Sequence, residues 1–436
     1  MDKARNRKRD RRIVIEPPEP DLTPEALVER ARALRPLLRE QQAEADTRGH
    51  YSDEVHEAIK RAGLYRAVQP RMFGGYELDI PTLLKLSLEI SHGHPSSGWC
   101  YTLATSHALL VGSHLSEEAQ GEIFGPDGDF RCPAKAPPSG TFTRTDGGYI
   151  VNGTWTFSSG IPVSNYFMGG GVILDDAGQP ARSINFIVAR DKITMLDDWG
   201  GDVSLGMQGS GSNSVRVEDV FVPDRHFFDA GILLVSAPDG SGTPGTALHG
   251  NPMYLGVAGG VYHATFGAIL TGAARAALDE YEQVVQHRPV FSNPSVKQKD
   301  DPESQQIFGK ATQLTDAAEA LTLACGRIYM EQCERWAATG QPITKEDTMR
   351  LWGTAQEACQ MACRAVDLLF RTAGAFNARP GQKMNRYFRD IQMYRIHPSA
   401  QPAIATSIGQ IRLGGELVNF SDRAFTDMAK ADRGKY

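Results

Sequence analysis

A chain of 436 residues, with 22% charged and 41% hydrophobic side chains, holds material for two to four domains and a sizeable core. Its formal net charge of -6 argues against a dedicated nucleic-acid binder. No apolar run is long enough to span a bilayer and no signal-peptide core is evident, so the cytoplasm is the expected compartment and no membrane contact is expected of the folded part.

Residues 1–12 carry seven Lys/Arg against two Asp. Such a run reads as a disordered solubilising tail, continued through the proline-rich PPEP to residue 22, with a nucleic-acid or membrane contact as its other possible use. A helix then starts at Thr23-Pro24-Glu25, with Thr as cap and Pro in the first turn. The pattern predicts helices over 24–47, 52–62, 79–91 and 98–111, and Ser116 opens a shorter one.

The stretch 138–223 is the one region that reads as sheet. GGYIVNGTWTFSSG (147–160) offers two β-prone runs with a hairpin turn expected at Asn152-Gly153, and ARSINFIVAR (181–190) and NSVRVEDVFVP (213–223) add strands. A Gly/Pro/Ser-rich linker at 236–252 reads as pliant. Beyond it, helices at 254–286, 303–338, 345–373 and 385–412 are long and rich in small residues, predicting an antiparallel bundle. The predicted organisation is α+β and mainly α: tail 1–22, helical domain 23–137, β-domain 138–235, helical bundle 236–436. Strands and helices do not alternate, and neither GxGxxG after a strand nor GxxxxGK[ST] occurs, which disfavours nucleotide sites of those kinds.

The six cysteines form no CxxC pair and read as reduced core thiols, and the eleven histidines make no clear metal set, so no metal is expected. Trp155, Phe157, Ser158 and Ser159 end a strand at Gly160. They could seat a planar ring with a polar edge, or simply close a sheet core with a turn. His107, within ATSHALLV, fits either a hydrogen-bonded core histidine or a general base facing an apolar pocket. His397 precedes Pro398, which biases it away from helical dihedrals and sets its ring at a bend. Arg389 and Asp390 read as a structural ion pair. Arg288, at a helix end, is a solvated or interface residue with phosphate contact as the alternative.

Five segments together carry a resemblance: PRMFGGYE (70–77), HPSSGWCYTLATSHA (94–108), WTFSSG (155–160), GMQGSGSNSVRVEDVFVP (206–223) and RYFRDIQMYRIHP (386–398). Over about 25–420 the chain resembles the acyl-CoA-dehydrogenase-like flavin-dependent monooxygenases, the oxygenase components of two-component aromatic hydroxylases such as 4-hydroxyphenylacetate 3-hydroxylase. The resemblance implies N-terminal helices, a central β-domain and a C-terminal four-helix bundle, assembled as a homotetramer. It implies FMNH2 or FADH2 delivered by a separate NAD(P)H-dependent reductase, reaction with O2 to a C4a-hydroperoxyflavin, and hydroxylation of a phenolic or related ring.

By position, the resemblance gives Ser159, or Ser158 beside it, a bond to flavin N5, and gives Trp155 and Phe157 packing against the isoalloxazine. Asn213 joins the cofactor and substrate wall, and Arg288 a flavin phosphate across a subunit interface. His107 would bind the substrate hydroxyl and His397 act as general base. N- or S-oxygenation is the alternative within the family. Acyl-CoA dehydrogenase is the alternative on the same architecture, but MYRIHPSAQP (393–402) contains no Glu to take an α-proton. A non-catalytic helical interaction protein is the alternative from another class, and failure to bind reduced flavin would favour it.

Overall fold

The computed structural model describes residues 14–135, 139–174 and 180–414. Seven helices open the chain: α1 (Pro24–Ala33), α2 (Arg35–Arg48), α3 (Asp53–Arg61), α4 (Ile80–Gly93), α5 (Pro95–Thr105), α6 (Ala108–His114) and α7 (Glu117–Phe124). Thr23 and Ser116 start helices as predicted, and Ser52 caps the helix expected over 52–62; the three accept from the backbone N–H of Ala26, Ala119 and Val55. The single helix expected over 24–47 is two, because Pro36 in the first turn of α2 has no N–H to continue the ladder from α1. The helix expected over 98–111 starts earlier, at Pro95, and breaks at Ser106-His107.

The described part of the expected tail is ordered on the helical domain. Ile15 N–H donates to Met72 O at 2.9 Å, and Arg30 donates to Glu19 at 2.6 Å, so 14–22 is docked on the helical domain. Residues 1–13 lie outside the described residues.

The β-domain contains β1 (Ala134–Lys135), β2 (Gly140–Thr145), β3 (Gly148–Trp155), β4 (Tyr166–Leu174), β5 (Pro180–Ala189), β6 (Thr194–Met195), β7 (Val215–Pro223) and β8 (Phe227–Asp229). They form two four-stranded sheets, β1-β4-β5-β8 and β2-β3-β7-β6. Val151, Trp155, Phe167, Phe186, Val215 and Val217 fill the space between them. Because β1 pairs with β4, the sheet begins before residue 138.

The hairpin turn lies elsewhere than expected. Asp146-Gly147, with Gly147 at φ 72°, joins β2 to β3. Asn152-Gly153 instead lies within β3, where the register against β7 shifts. The Asn152 side chain exchanges hydrogen bonds with Asp219, whose φ of 52° completes the bulge. A turn dipeptide inside a strand therefore acts as an irregularity rather than a reversal.

The segment expected to be a pliant linker holds α8 (Pro244–His249), fixed by a capping box between Thr243 and Thr246. The bundle follows as α9 (Gly259–His287), a small ribbon of β9 (Pro289–Val290) and β10 (Asn293–Lys297), then α10 (Pro302–Thr339), α11 (Lys345–Thr372), α12 (Lys383–Arg395) and α13 (Ala403–Arg412). α9, α10 and α11 pack on one another, α12 closes against α9 and α11, and α4 lies against α9 and α10. The helix expected over 385–412 breaks where Pro398 follows His397. All six cysteines are buried and unpaired, and among the described residues no helix is long and apolar enough to cross a membrane.

Candidate active site

Three blocks of chain meet around Trp99 of α5, Phe266 of α9 and His397 after α12. Trp99 and Phe266 stack with ring centroids 4.8 Å apart, and His397 lies edge-on to both, at 6.0 Å and 5.0 Å. One turn earlier on α9, Tyr262 stacks on His107 at 4.9 Å, and His263 meets Phe266 edge-on. These contacts place His107 and His397 along one aromatic wall built from helices on both sides of the sheet domain. The Tyr262 hydroxyl and His263 Nε2 are buried in this wall without a hydrogen-bond partner. Buried polar atoms of that kind are costly unless a ligand or water completes them.

The two histidines present opposite chemistry. His107 Nδ1 lies 2.8 Å from both Leu103 O and Cys132 O, so Nδ1 carries the proton and the neutral ring leaves Nε2 as the acceptor. Burial pushes its pKa down to about 4, against the two carbonyl bonds. His397 Nδ1 instead accepts the Ser399 N–H at 3.2 Å, so the neutral ring carries its hydrogen on Nε2. Burial, then the charge of Lys135, pushes this ring down to about 4 as well. Near neutrality, therefore, His107 offers a lone pair and His397 offers an N–H. The general-base role expected of His397 would require it to give up the Ser399 cap.

The β-domain contributes its edge. Phe157 is 56% exposed at φ 56°, an uncommon backbone conformation for a bulky residue, with Lys135 Nζ 5.4 Å from its ring centroid. Ser159 retains 9% of its surface, and its hydroxyl lies 2.7 Å from that of Ser212, which in turn lies 2.6 Å from that of Ser210. Gly160 N–H closes the two turns together on Ser210 O and Gly211 O. Gly160 has φ 92°, and a Cβ there would stand 2.7 Å from Cys100 O, so only glycine lets this strand end sit on α5.

Three of the remaining residues expected at the cofactor, Trp155, Ser158 and Asn213, are bonded or packed within the β-domain. Trp155 is fully buried in the sandwich, donating its indole N–H to Gly170 O at 3.0 Å and packing on Phe167 and Phe186. The Ser158 hydroxyl donates to Trp155 O, and Asn213 Nδ2 donates to Leu196 O. Arg288 donates to Ala373 O at the end of α11, packed against Gly374, where a side chain would collide with it. Trp155, Ser158 and Asn213 thus build the frame, whereas Phe157, Ser159, His107 and His397 border the junction; Arg288 stays exposed at the end of α9, on the outer face of the bundle. Arg389 and Asp390 do not pair with each other either: Arg389 holds Leu205 O and Asn385, and Asp390 accepts from Met207 N–H.

Sequence reasoning passed over Trp99, Tyr262, His263, Phe266, Ser210 and Ser212. Only Ser210 and Ser212 carried a signal, as polar residues in a glycine-rich segment. The aromatic residues look like ordinary helix core until the bend at His397 brings them to one wall. The set suits a planar group with a polar rim: aromatic faces, a hydroxyl at the sheet edge, and buried polar atoms awaiting partners. Among the described residues, no group of three or more His, Cys, Asp or Glu is arranged to hold a metal ion.

Residues 264–402 match the family model described as acyl-CoA dehydrogenase, C-terminal domain. The chain is 28% identical over 377 residues to the flavin-dependent monooxygenase, oxygenase subunit HsaA, of Rhodococcus jostii (strain RHA1), covering 86% of this chain and 94% of that protein. It is 24% identical over 407 residues to the p-hydroxyphenylacetate 3-hydroxylase oxygenase component of Acinetobacter baumannii, covering 92% and 90%. The fold matches XiaF from Streptomyces sp., solved in complex with FADH2 and glycerol, with a TM-score of 0.81 at 22% identity, covering 91% and 96%. Over most of its length the chain is thus similar to the oxygenase components of flavin-dependent monooxygenases, on an acyl-CoA-dehydrogenase-like fold.

Proposed function

We propose that this protein is the oxygenase component of a two-component system that hydroxylates a phenolic or related aromatic ring. It takes reduced flavin, FMNH2 or FADH2, from a separate NAD(P)H-dependent reductase and uses O2 as co-substrate. The observation that carries this reading is the junction itself. A bare His107 Nε2 and an N–H on His397 lie along one aromatic wall, with the Ser159 hydroxyl on the sheet edge. Reduced flavin, when bound, supplies two electrons to O2, so that one oxygen atom enters the ring and the other leaves as water.

Ser159 and Phe157 are the residues that would hold the flavin edge, one by a hydrogen bond and one by packing. The wall of Trp99, Phe266 and Tyr262 excludes water, which keeps reduced oxygen from escaping as peroxide. His107 accepts a hydrogen bond from the substrate hydroxyl at Nε2 and so raises electron density in the ring. His397 donates through Nε2–H and orients the polar end of the substrate or the departing oxygen. This keeps His107 on the substrate hydroxyl and makes His397 a donor in place of the base that sequence position assigned to it. Acyl-CoA oxidation is disfavoured by the same wall, since 393–402 supplies no carboxylate base. Assembly as a homotetramer is part of the proposal; Phe291 is wholly exposed and Ile396 is 72% exposed on the bundle, as subunit contacts would require.

The test is anaerobic titration with FMNH2 and FADH2, followed by O2 and panels of phenols, arylamines and thioethers. Stoichiometric binding of one reduced flavin and O2-dependent phenol hydroxylation are expected. Absence of binding to both flavins would end the reading, and products only from amines or thioethers would move it to N- or S-oxygenation. Ser159→Ala should raise peroxide released per flavin oxidised several-fold, by about 1–2 kcal/mol of lost hydrogen bonding; an unaltered ratio would remove Ser159 from the flavin edge.

A further inference from the structure

A group of charged residues lies buried where α2, α4 and α12 meet, directly behind the serine turn. Arg386 Nε donates to Asp46 Oδ2 at 2.6 Å, and His94 Nε2 lies 3.3 Å from Asp46 Oδ1. Burial works to raise the Asp46 carboxyl, but the neighbouring His94 and then Arg386 hold it low. Asp390, one helical turn beyond Arg386, is 2% exposed. Its Oδ1 accepts the Met207 N–H at 2.6 Å, while Oδ2 is buried with no hydrogen-bond partner. Burying a carboxyl group is expensive, and here it is spent on one backbone N–H of the opposite domain.

That N–H starts the turn on which the hydroxyl chain depends. Met207 stands at φ 52°, Ser210 N–H returns to Met207 O at 3.1 Å, and Gly211 N–H donates to Gly49 O at 2.6 Å. The same loop is clamped on α12 at two neighbouring points. Arg389 donates to Leu205 O at 2.9 Å, and Gly206 sits so close to the backbone of Arg389 and Asp390 that any side chain there would collide. Gly209 lies against His94, where a Cβ would be 3.2 Å from the ring. Each serine hydroxyl has one hydrogen, so the order of the chain Ser210–Ser212–Ser159 determines whether Ser159 turns a hydrogen or a lone pair toward the site.

We propose that Asp390 is a positioning residue, whose grip on Met207 N–H holds the 207–212 turn and thereby aims the Ser159 hydroxyl through Ser212. Its contribution is as an acceptor and not as a charge. Burial and then the neighbouring Asp46 push its carboxyl up, so the neutral form is within reach and asparagine is a close mimic. The link to oxygenation rests on the assignment of Ser159 to the flavin edge; the clamp itself does not.

Hydrogen exchange in the flavin-free protein reads the clamp, and the ratio of peroxide to hydroxylated product reads its consequence. Asp390→Ala should speed amide exchange in peptides covering 205–213 by at least about tenfold while peptides of α9 and α10 stay within about twofold. It should also raise the peroxide ratio several-fold. Asp390→Asn, which keeps the acceptor, should hold both readings within about twofold of wild type. Ser212→Ala should leave exchange over 205–213 slow yet reproduce the raised peroxide ratio. Unchanged exchange in Asp390→Ala, an Asn variant as damaged as the Ala variant, or a Ser212→Ala protein with wild-type coupling would each overturn the proposal. If Asp390→Ala does not fold, the Asn and Ser212 variants still decide it. A wild-type protein that binds no reduced flavin would end the functional reading, while the exchange comparison still decides the clamp.

Discussion

His107 and His397 have nearly the same depressed basicity, yet the backbone contacts at Nδ1 of each ring give them different uses. Nδ1 of His107 is tied to two carbonyls and Nδ1 of His397 to one N–H. Removing the bare acceptor should therefore hurt more than replacing the donor. His107→Ala is expected to lower product turnover by on the order of a hundredfold, with reduced flavin still consumed by O2 as peroxide. His397→Gln keeps a side-chain N–H and should retain most turnover, whereas His397→Ala should lose about tenfold, the cost of one buried hydrogen bond. Product formed per flavin oxidised separates these outcomes. A His397→Gln protein as inactive as His107→Ala would return the base role to His397. The sequence makes both residues candidates, His397 by the proline after it, but gives no sign of the tautomers. These depend on Cys132 O, 25 positions from His107, and on the turn at Ser399.

At the scale of elements, small residues decide how closely helices approach. Gly272 lies in the middle of α9 where it crosses α4; a Cβ there would stand 2.5 Å from Ser91 Cβ and 2.7 Å from Leu88 O. Ser91 Cβ is fixed by its own backbone and Leu88 O is backbone, so both can yield only by moving the helix. Gly272→Ala gains helix propensity of about 1 kcal/mol, yet overpacking of this kind costs typically 1–3 kcal/mol, so net destabilisation is expected. Urea unfolding measures it, and a variant as stable as wild type would mean that α4 and α9 can part without loss. The run GAILTGAARAALDEY makes such close packing legible from sequence, as the caps at Thr23, Ser52 and Ser116 make three helix starts legible. What is not legible is competition between local signals. Asn152-Gly153 is as good a turn as Asp146-Gly147, and only the pairing of β3 with β7 makes one a bulge and the other the reversal.

Across the whole molecule, the helical blocks and the sheet meet at side chains such as His107 that are buried in uncharged form, which ties folding to pH. His107 is 4% exposed, with burial pushing its pKa down to about 4 from an ordinary value near 6.5. The folded protein resists its protonation and the unfolded chain does not. Stability from this ring is thus fully present above pH 6.5, and it falls away as pH drops toward 4, by on the order of 3 kcal/mol in all. Asp390 acts in the opposite sense: its raised folded value makes the native state gain relative stability as pH falls from neutrality toward the ordinary carboxylate range. Asp279, held to about 2 by His92 and Arg39 against its partial burial, enters only below pH 4. The absolute stability curve mixes these groups, but the difference between wild type and His107→Gln cancels Asp390 and Asp279. That difference should shrink steadily between pH 6.5 and 4.5 in urea unfolding, because only wild type has this histidine to protonate. A difference independent of pH over that interval would mean that His107 reaches solvent in the folded protein and is not sealed into the wall.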